Sequence, residues 1–320
     1  MSDRPVPGRI MLVGLGPGGG AHMTQRARDA IAEADTVIGY ITYIRLIADL
    51  CAGKEVIAKP MAAELDRARA AVERARAGRK VALVSSGDPG VYGMAGPTFE
   101  VLFEAGWVPP QGGAGGIEVE IVPGASALNT CAALVGAPLS HDFCAISLSD
   151  LLTPWPIIAR RLDAAAAADF VVALYNPGSR RRSGQIVEAQ RLFLRHRDPA
   201  TPVAVVESAY RPRQRIAFTT LAELAAAEIG MLTTVLIGNS RTLLRHGVMV
   251  TPRGYGDKYA LDSGAARGEE RPGHSLSDGL EGWRAALNAS GETAEQLAVR
   301  YRLPVDYVAA VLAETLASHP

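Results

Sequence analysis

Three short segments of this chain have the residue types and spacing to hold a small ligand by its polar edges. The first is Gly14-Leu15-Gly16-Pro17-Gly18-Gly19-Gly20, directly after the apolar run Ile10–Gly14. Glycines there let a ligand approach the main chain closely, and Gly14, Gly16 and Gly19 match the GxGxxG spacing of dinucleotide-binding loops. Two features count against a dinucleotide. Pro17 removes an N–H and stiffens the loop. The acid expected at the end of the second strand is missing, because Asp35 precedes that strand and its end is Gly39-Tyr40. A tight strand-to-helix turn without a ligand is the alternative.

The second segment is Ser85-Ser86-Gly87-Asp88-Pro89-Gly90-Val91-Tyr92-Gly93, which fixes one carboxylate, Asp88, between Gly87 and Pro89. Ligands of open parallel sheets bind beyond such strand ends; a plain turn-forming Asp88 is the bland reading. The third is Pro123-Gly124-Ala125-Ser126-Ala127, where small residues let a flat ligand lie against the backbone, or merely cap a helix. Leu148-Ser149-Asp150, Tyr175-Asn176-Pro177, Glu207-Ser208-Ala209 and Gly238-Asn239-Ser240 end four more predicted strands, and polar groups at these ends on one edge predict a cleft. Arg180, Arg181 and Arg182 are either a solvated basic run or a clamp for carboxylates. The stretch Arg253–Tyr259 sets aromatic, acidic and basic groups around glycines and suits a substrate or dimer contact.

Other chemistries lack their residues. The six histidines have no metal-ligand spacing, and neither a GxxxxGK[ST] loop nor a GxSxG elbow occurs. Cys51, Cys131 and Cys144 are an odd count without CxxC spacing, which argues for idle thiols rather than a disulfide framework.

Parallel strands alternating with helices would position these segments. Apolar runs at Ile10–Gly14, Thr36–Gly39, Lys80–Val84 and Ile117–Val122 alternate with helical stretches at Thr24–Glu33, with Thr24 as N-cap, Glu64–Ala77, Pro97–Glu104 and Ala125–Val135. Such runs suit a parallel sheet covered on both faces. The second half has the same alternation, with strands at Phe143–Ser147, Phe170–Leu174, Val203–Glu207 and Val235–Gly238, a short one at Arg215–Ala217, and helices at Ile157–Ala168, Ser183–Arg197 and Leu221–Ile229. The expected units are α/β domains over 9–123 and 124–259, a linker over 260–274 and a helical appendage over 275–320. In the appendage, Ala294, Leu297, Ala298 and Tyr301 share one helix face, and Val308, Val311, Leu312 and Leu316 another.

With 320 residues, 48% of them hydrophobic, a sizeable core is easily built. Lys plus Arg number 33 and so do Asp plus Glu, so the formal charge of zero lacks the basic excess of a general nucleic-acid binder. No window reaches the roughly 18–20 apolar residues of a membrane span, and Met1–Arg9 has no apolar signal core. The expectation is a soluble cytoplasmic protein.

Taken in order, the GxGPG loop, the GDP segment and the PGASA segment resemble the tetrapyrrole methylases, S-adenosylmethionine-dependent methyltransferases that build corrin and sirohaem rings. The resemblance covers about Arg9 to Tyr259. It tightens at Ile38–Tyr43, Ser85–Tyr92, Ala127-Leu128-Asn129, Tyr175-Asn176-Pro177 and Arg253–Tyr259. It implies two α/β domains with a cofactor trough between them, and methylation of precorrin-3B at C17 with ring contraction to precorrin-4, in cobalamin biosynthesis. Family contacts to S-adenosylmethionine carry over to Pro17, Gly87, Asp88, Val91, Ser126, Ala127, Asn176 and Ala209, completed by the neighbours Gly16, Ser86 and Tyr175. Substrate carboxylates are expected at Arg180, Arg181 and Arg253, with Tyr255 beside them. Sirohaem-forming relatives carry an aspartate at the end of the second strand, where this chain has Tyr40. The general base is therefore unassigned, with Asp88, Asp150, Glu207 and Lys258 as candidates. A homodimer and no resident metal are expected. The alternatives are another corrin-ring methylase, including one acting on a cobalt-containing precursor, a nicotinamide-dependent oxidoreductase and, more remotely, a binding module.

Overall fold

The computed structural model describes residues 8–110, 116–178 and 184–317, the last three by backbone alone. The chain forms two compact units, 1–251 and 252–320.

The first unit holds a five-stranded sheet built from β1 (Arg9–Gly14), β2 (Thr36–Tyr40), β3 (Glu55–Lys59), β4 (Lys80–Ser85) and β5 (Glu118–Val122), in the order β3-β2-β4-β1-β5. Every pairing is parallel, so all five C-terminal ends share one edge. Side chains alternate across the sheet, and β1 shows the result. Met11 and Val13 pack with Ala27, Ala30 and Ile31 of α1 (Gln25–Glu33). Ile10 and Leu12 pack with Ala68, Ala71 and Val72 of α3 (Glu64–Arg76) and Leu102 of α4 (Ala95–Glu104). Thr24 caps α1 by accepting from the Ala27 N–H at 3.1 Å. A short helix α2 (Ile41–Leu46) follows β2 directly.

Helix α5 (Ala127–Val135) leaves β5 but packs on a second sheet. A two-residue strand β6 (Gly136–Ala137) follows it, and then β7 (Phe143–Ser147), α6 (Trp155–Ala167), β8 (Val171–Tyr175), α7 (Gly184–Phe193), β9 (Pro202–Glu207), β10 (Arg215–Thr220) and β11 (Thr233–Ile237). This sheet runs β10-β9-β11-β8-β7. Val172, Leu174, Val203, Val205, Val235 and Ile237 face α6 and α7. Ala173, Ala204, Val206 and Leu236 face Cys131, Ala132 and Val135 of α5. Strands β12 (Leu243–Arg245) and β13 (Val248–Val250) close a small sheet with β6.

The second sheet corrects the sequence reading. It is mixed: β7 and β8 are parallel, but β11 runs antiparallel to both β8 and β9. The C-terminal ends of β7, β8 and β9 share an edge, whereas Gly238-Asn239-Ser240, at the end of β11, lies at the opposite one. There Gly238 N–H donates to Pro202 O at the start of β9, and Ser240 N–H to Asp169 just before β8. The residues from Arg215 on extend as strand to Thr220, and the helix expected over Leu221–Ile229 is a 3-10 segment, Leu221–Ala226.

In the second unit α8 (Tyr255–Lys258) precedes three helices, α9 (Leu280–Ala289), α10 (Ala294–Tyr301) and α11 (Val305–Ala317). Thr293 and Gln296 form a capping box at α10. Leu297, Ala298, Val308 and Val311 are buried as their spacing predicts, but Leu287 of α9, a helix the sequence reading lacked, joins them. The side chain of Leu316 lies outside the described residues.

Candidate active site

The C-terminal ends of β1, β4 and β5 meet through three glycine loops. Gly16 and Gly87 bond to each other twice, Gly16 N–H to Gly87 O at 3.1 Å and Gly87 N–H to Gly16 O at 2.7 Å. Gly87, at φ +69°, needs the conformation that a Cβ disfavours. A Cβ on Gly124 would fall 2.2 Å from Gly87 O, and one on Gly14 2.6 Å from Gly124 N. Asp88 fastens this junction: one carboxylate oxygen accepts from Gly90 N–H at 2.8 Å and the other from Gly124 N–H at 3.0 Å. The first half of the first loop therefore offers no N–H group to a pyrophosphate. Leu15 N–H goes to Ser85 O, Gly16 N–H to Gly87 O, and Pro17 has none.

Beside the junction, an open cleft of about 170 Å³ lies between these loops and the second sheet. Pro17, Ser86, Gly87, Asp88, Val91, Ala127, Tyr175, Asn176 and Ala209 line it. Gly16 is not among the lining residues. Ser126 is nearly buried and caps α5, accepting from the Asn129 N–H. Tyr175 Oη accepts from Leu128 N–H at 2.7 Å, and its ring lies 4.9 Å from that of Tyr92, whose hydroxyl donates to Ala145 O. Burial pushes both phenols above their ordinary range, so they are neutral at physiological pH. Asn176 Nδ2 donates to Ser147 Oγ at 3.0 Å. Non-glycine residues in the left-handed region gather here, Tyr92 at φ +52°, Asn176 at +51°, Ser208 at +52° and Tyr210 at +56°, as at many functional sites.

Two candidate bases, Asp150 and Glu207, lie elsewhere in the first unit. Asp150 does not line the cleft; it accepts from Gln185 Nε2 at 3.0 Å. Glu207 lines a separate groove with Arg215 and Glu228. Arg253, Tyr255 and Lys258 belong to the second unit, where the Lys258 ammonium donates to His274 O. Arg180 and Arg181, with Arg182, lie outside the described residues.

The cleft also contains residues that the sequence reading missed. Tyr43 comes from α2, and Thr233 and Thr234 come from the start of β11, which its antiparallel course delivers to this edge. Arg211 donates from Nε to Pro17 O at 2.6 Å and from Nη2 to Ser86 Oγ at 2.7 Å. Its only sequence signal is its place just after a strand end. Among the described residues no cluster of His, Cys, Asp and Glu could hold a metal ion, and no helix is long and apolar enough to cross a membrane.

Residues 9–225 match the family of Tetrapyrrole (Corrin/Porphyrin) Methylases, and the chain belongs to it. It is a methyltransferase, and methylases of this family use S-adenosylmethionine. A cobalt-factor III methyltransferase of Priestia megaterium is 47% identical over 96% of this chain, which spans only 58% of that relative. A probable cobalt-factor III C(17)-methyltransferase of Salmonella typhimurium is 44% identical over 77% of this chain and 99% of its own length. A precorrin-3B C(17)-methyltransferase of a Sinorhizobium species is 42% identical over 78% of this chain and 97% of its own. Among solved structures, the methyltransferase CobJ superposes with a TM-score of 0.70 at 38% identity, over 77% of this chain and 100% of that one. The uroporphyrin-III C-methyl transferase of Thermus thermophilus, complexed with S-adenosyl homocysteine, gives 0.57 at 27% identity over 72% of this chain and 97% of that one.

Proposed function

We propose that this chain transfers the methyl group of S-adenosylmethionine to C17 of precorrin-3B, with ring contraction to precorrin-4, in cobalamin biosynthesis. The observation that carries the reading is the cleft itself. A rigid junction of three glycine loops, locked by Asp88, stands beside an opening lined with small residues and neutral phenols. Gly87, Ala127 and Ala209 leave room for a nucleoside to lie against main chain. The engaged N–H groups of Leu15 and Gly16, and the absent one of Pro17, disfavour a dinucleotide. The C17 position is carried by the names of two relatives matched almost end to end, and precorrin-3B by the name of the Sinorhizobium one.

S-adenosylmethionine supplies a methyl group on a sulfonium that is already a good leaving group. The chain's residues mainly have to hold ligands in line. Such positioning is worth roughly 7–11 kcal/mol in well-aligned reactions, so no strong protein nucleophile is required. In this reading Gly16, Pro17, Ser86, Gly87, Asp88, Val91, Ser126, Ala127, Tyr175, Asn176 and Ala209 form the cofactor side. Asp88 is the anchor of its loops, and Arg180, Arg181, Arg253 and Tyr255 meet the carboxylate-rich substrate. A homodimer and a cytoplasmic location belong to the same reading.

Two relatives favour a cobalt-containing substrate as the second reading: the Salmonella and Priestia proteins are both named for cobalt-factor III, and the Priestia match covers 96% of this chain and so extends into the second unit. Calorimetric titration with S-adenosylhomocysteine tests the cofactor side, with saturable binding that weakens in Asp88→Ala. Turnover of precorrin-3B against cobalt-factor III, resolved by mass, decides between the substrates. Absence of binding by the folded chain defeats the methyltransferase reading of the cleft.

A further inference from the structure

Arg211 is a half-buried cation with no anionic partner among the described residues. Its loop follows β9 and is closed locally, Arg211 N–H donating to Ser208 O at 3.0 Å and Gln214 N–H to Arg211 O at 2.9 Å. From there the guanidinium crosses to the loops of the first sheet, where both acceptors are neutral: Pro17 O and Ser86 Oγ. Nη1 has no hydrogen-bond partner among the described residues and is not one of the polar atoms sealed from solvent. Burial lowers the guanidinium pKa, the mark of a desolvated charge, and the only charge-type interaction opposing it is with the Tyr43 phenol.

The fork is also held in place. Gly18, at φ +106°, runs beneath it, and a Cβ there would stand 3.4 Å from Arg211 Nε and 2.7 Å from Leu46 Cδ1. One edge of a planar guanidinium is thus engaged in positioning, while its remaining donors stay available in a cleft that Arg211 lines. A desolvated, fixed fork matches a carboxylate in charge and geometry.

We propose that Arg211 is a carboxylate-reading residue of the cleft, its free Nη1 donors taking one carboxylate of a bound ligand. This rests on the proposed methyltransferase function, whose two ligands both carry that group: the methionine end of the cofactor and the side arms of the tetrapyrrole. Arg211→Gln keeps a donor for Pro17 O and removes the charge. Arg211→Lys keeps the charge and loses the fork.

The test titrates the full chain and both variants with three probes: S-adenosylhomocysteine, 5′-methylthioadenosine, which keeps the adenosyl thioether but lacks the amino acid, and uroporphyrin III, a stable polycarboxylate macrocycle. If Arg211 reads the cofactor, Arg211→Gln weakens S-adenosylhomocysteine roughly ten- to hundredfold and leaves 5′-methylthioadenosine within about twofold. If it reads the macrocycle, uroporphyrin III weakens and both adenosyl ligands hold. Arg211→Lys is expected to fall between wild type and Arg211→Gln, and it carries the test should the Gln variant fail to fold. Equal weakening of both adenosyl ligands reduces Arg211 to a tie between loops and overturns the proposal, as does no change with any probe. Failure of the wild-type chain to bind S-adenosylhomocysteine is a separate result, against the methyltransferase reading, and leaves Arg211 to be judged on uroporphyrin III alone.

Discussion

Two arginines flank β9 at opposite edges of the second sheet, the buried Arg197 before it and the half-buried Arg211 after it. Arg197 is 7% exposed, and its guanidinium donates to three main-chain carbonyls: Gly238 O at 2.5 Å, Ala165 O at 3.1 Å and Phe170 O. Asp169 stands 3.9 Å away. Arg211 has two neutral partners and an open cleft. Burial lowers the pKa of both. At one edge the charge pins helix, strand and loop ends together; at the other it faces a space where a ligand fits. Access to the remaining donors separates the two: the Nε of Arg197, which lacks a hydrogen bond among the described residues, is sealed from solvent, whereas Arg211 lines an open cleft.

Substitutions can break that contrast. Arg197→Met leaves three buried carbonyls without their donor, and should cost about 3–5 kcal/mol of stability. It should lower the thermal midpoint while leaving S-adenosylhomocysteine affinity intact at a temperature where the chain is folded. A matching loss of affinity would erase the distinction between the edges. Gly124→Ala is expected to cost about 1–3 kcal/mol through overpacking against Gly87 O. Unlike Arg197→Met, it should also lower cofactor affinity at least tenfold, read by calorimetry beside urea unfolding. Tyr175→Phe removes the acceptor of the Leu128 N–H for about 1 kcal/mol or less. Its expected signature is a small loss of affinity with almost no shift in unfolding midpoint.

Four of the five strands of the first sheet were legible as apolar runs; β3 was not, because charged residues stand at both its ends and none of its residues is fully buried. The same residues that end the strands, Gly14, Gly87 and Gly124, build the junction. Strand direction was not legible. Thr233–Ile237 is buried along its whole length, so it has no polar face and reads alike in a parallel or an antiparallel sheet. That is why Gly238-Asn239-Ser240 was placed on the wrong edge and Thr233 and Thr234 were overlooked. Arg211 was hidden in Arg211-Pro212-Arg213-Gln214-Arg215, whose charge and proline suggest a solvated turn. Only the fold reveals that one of its three arginines turns inward. Helix α9 escaped notice because its start has no capping side chain and Gly282 interrupts its first turn.

The glycine junction has a consequence for how such a chain can change over generations. Positions 14, 87 and 124 are distant in sequence, yet each occupies the space that a methyl group on another would need. A side chain at one cannot be rescued by shrinking the others, since glycine has nothing left to remove. At Gly14 and Gly124 a side chain meets main chain, which no second substitution removes, and at Gly87 it meets the positive φ, so change is easier on the opposite wall of the cleft. Variation in ligand preference should therefore accumulate on the loops after β7, β8 and β9, and a mutagenesis library aimed at new macrocycles belongs there.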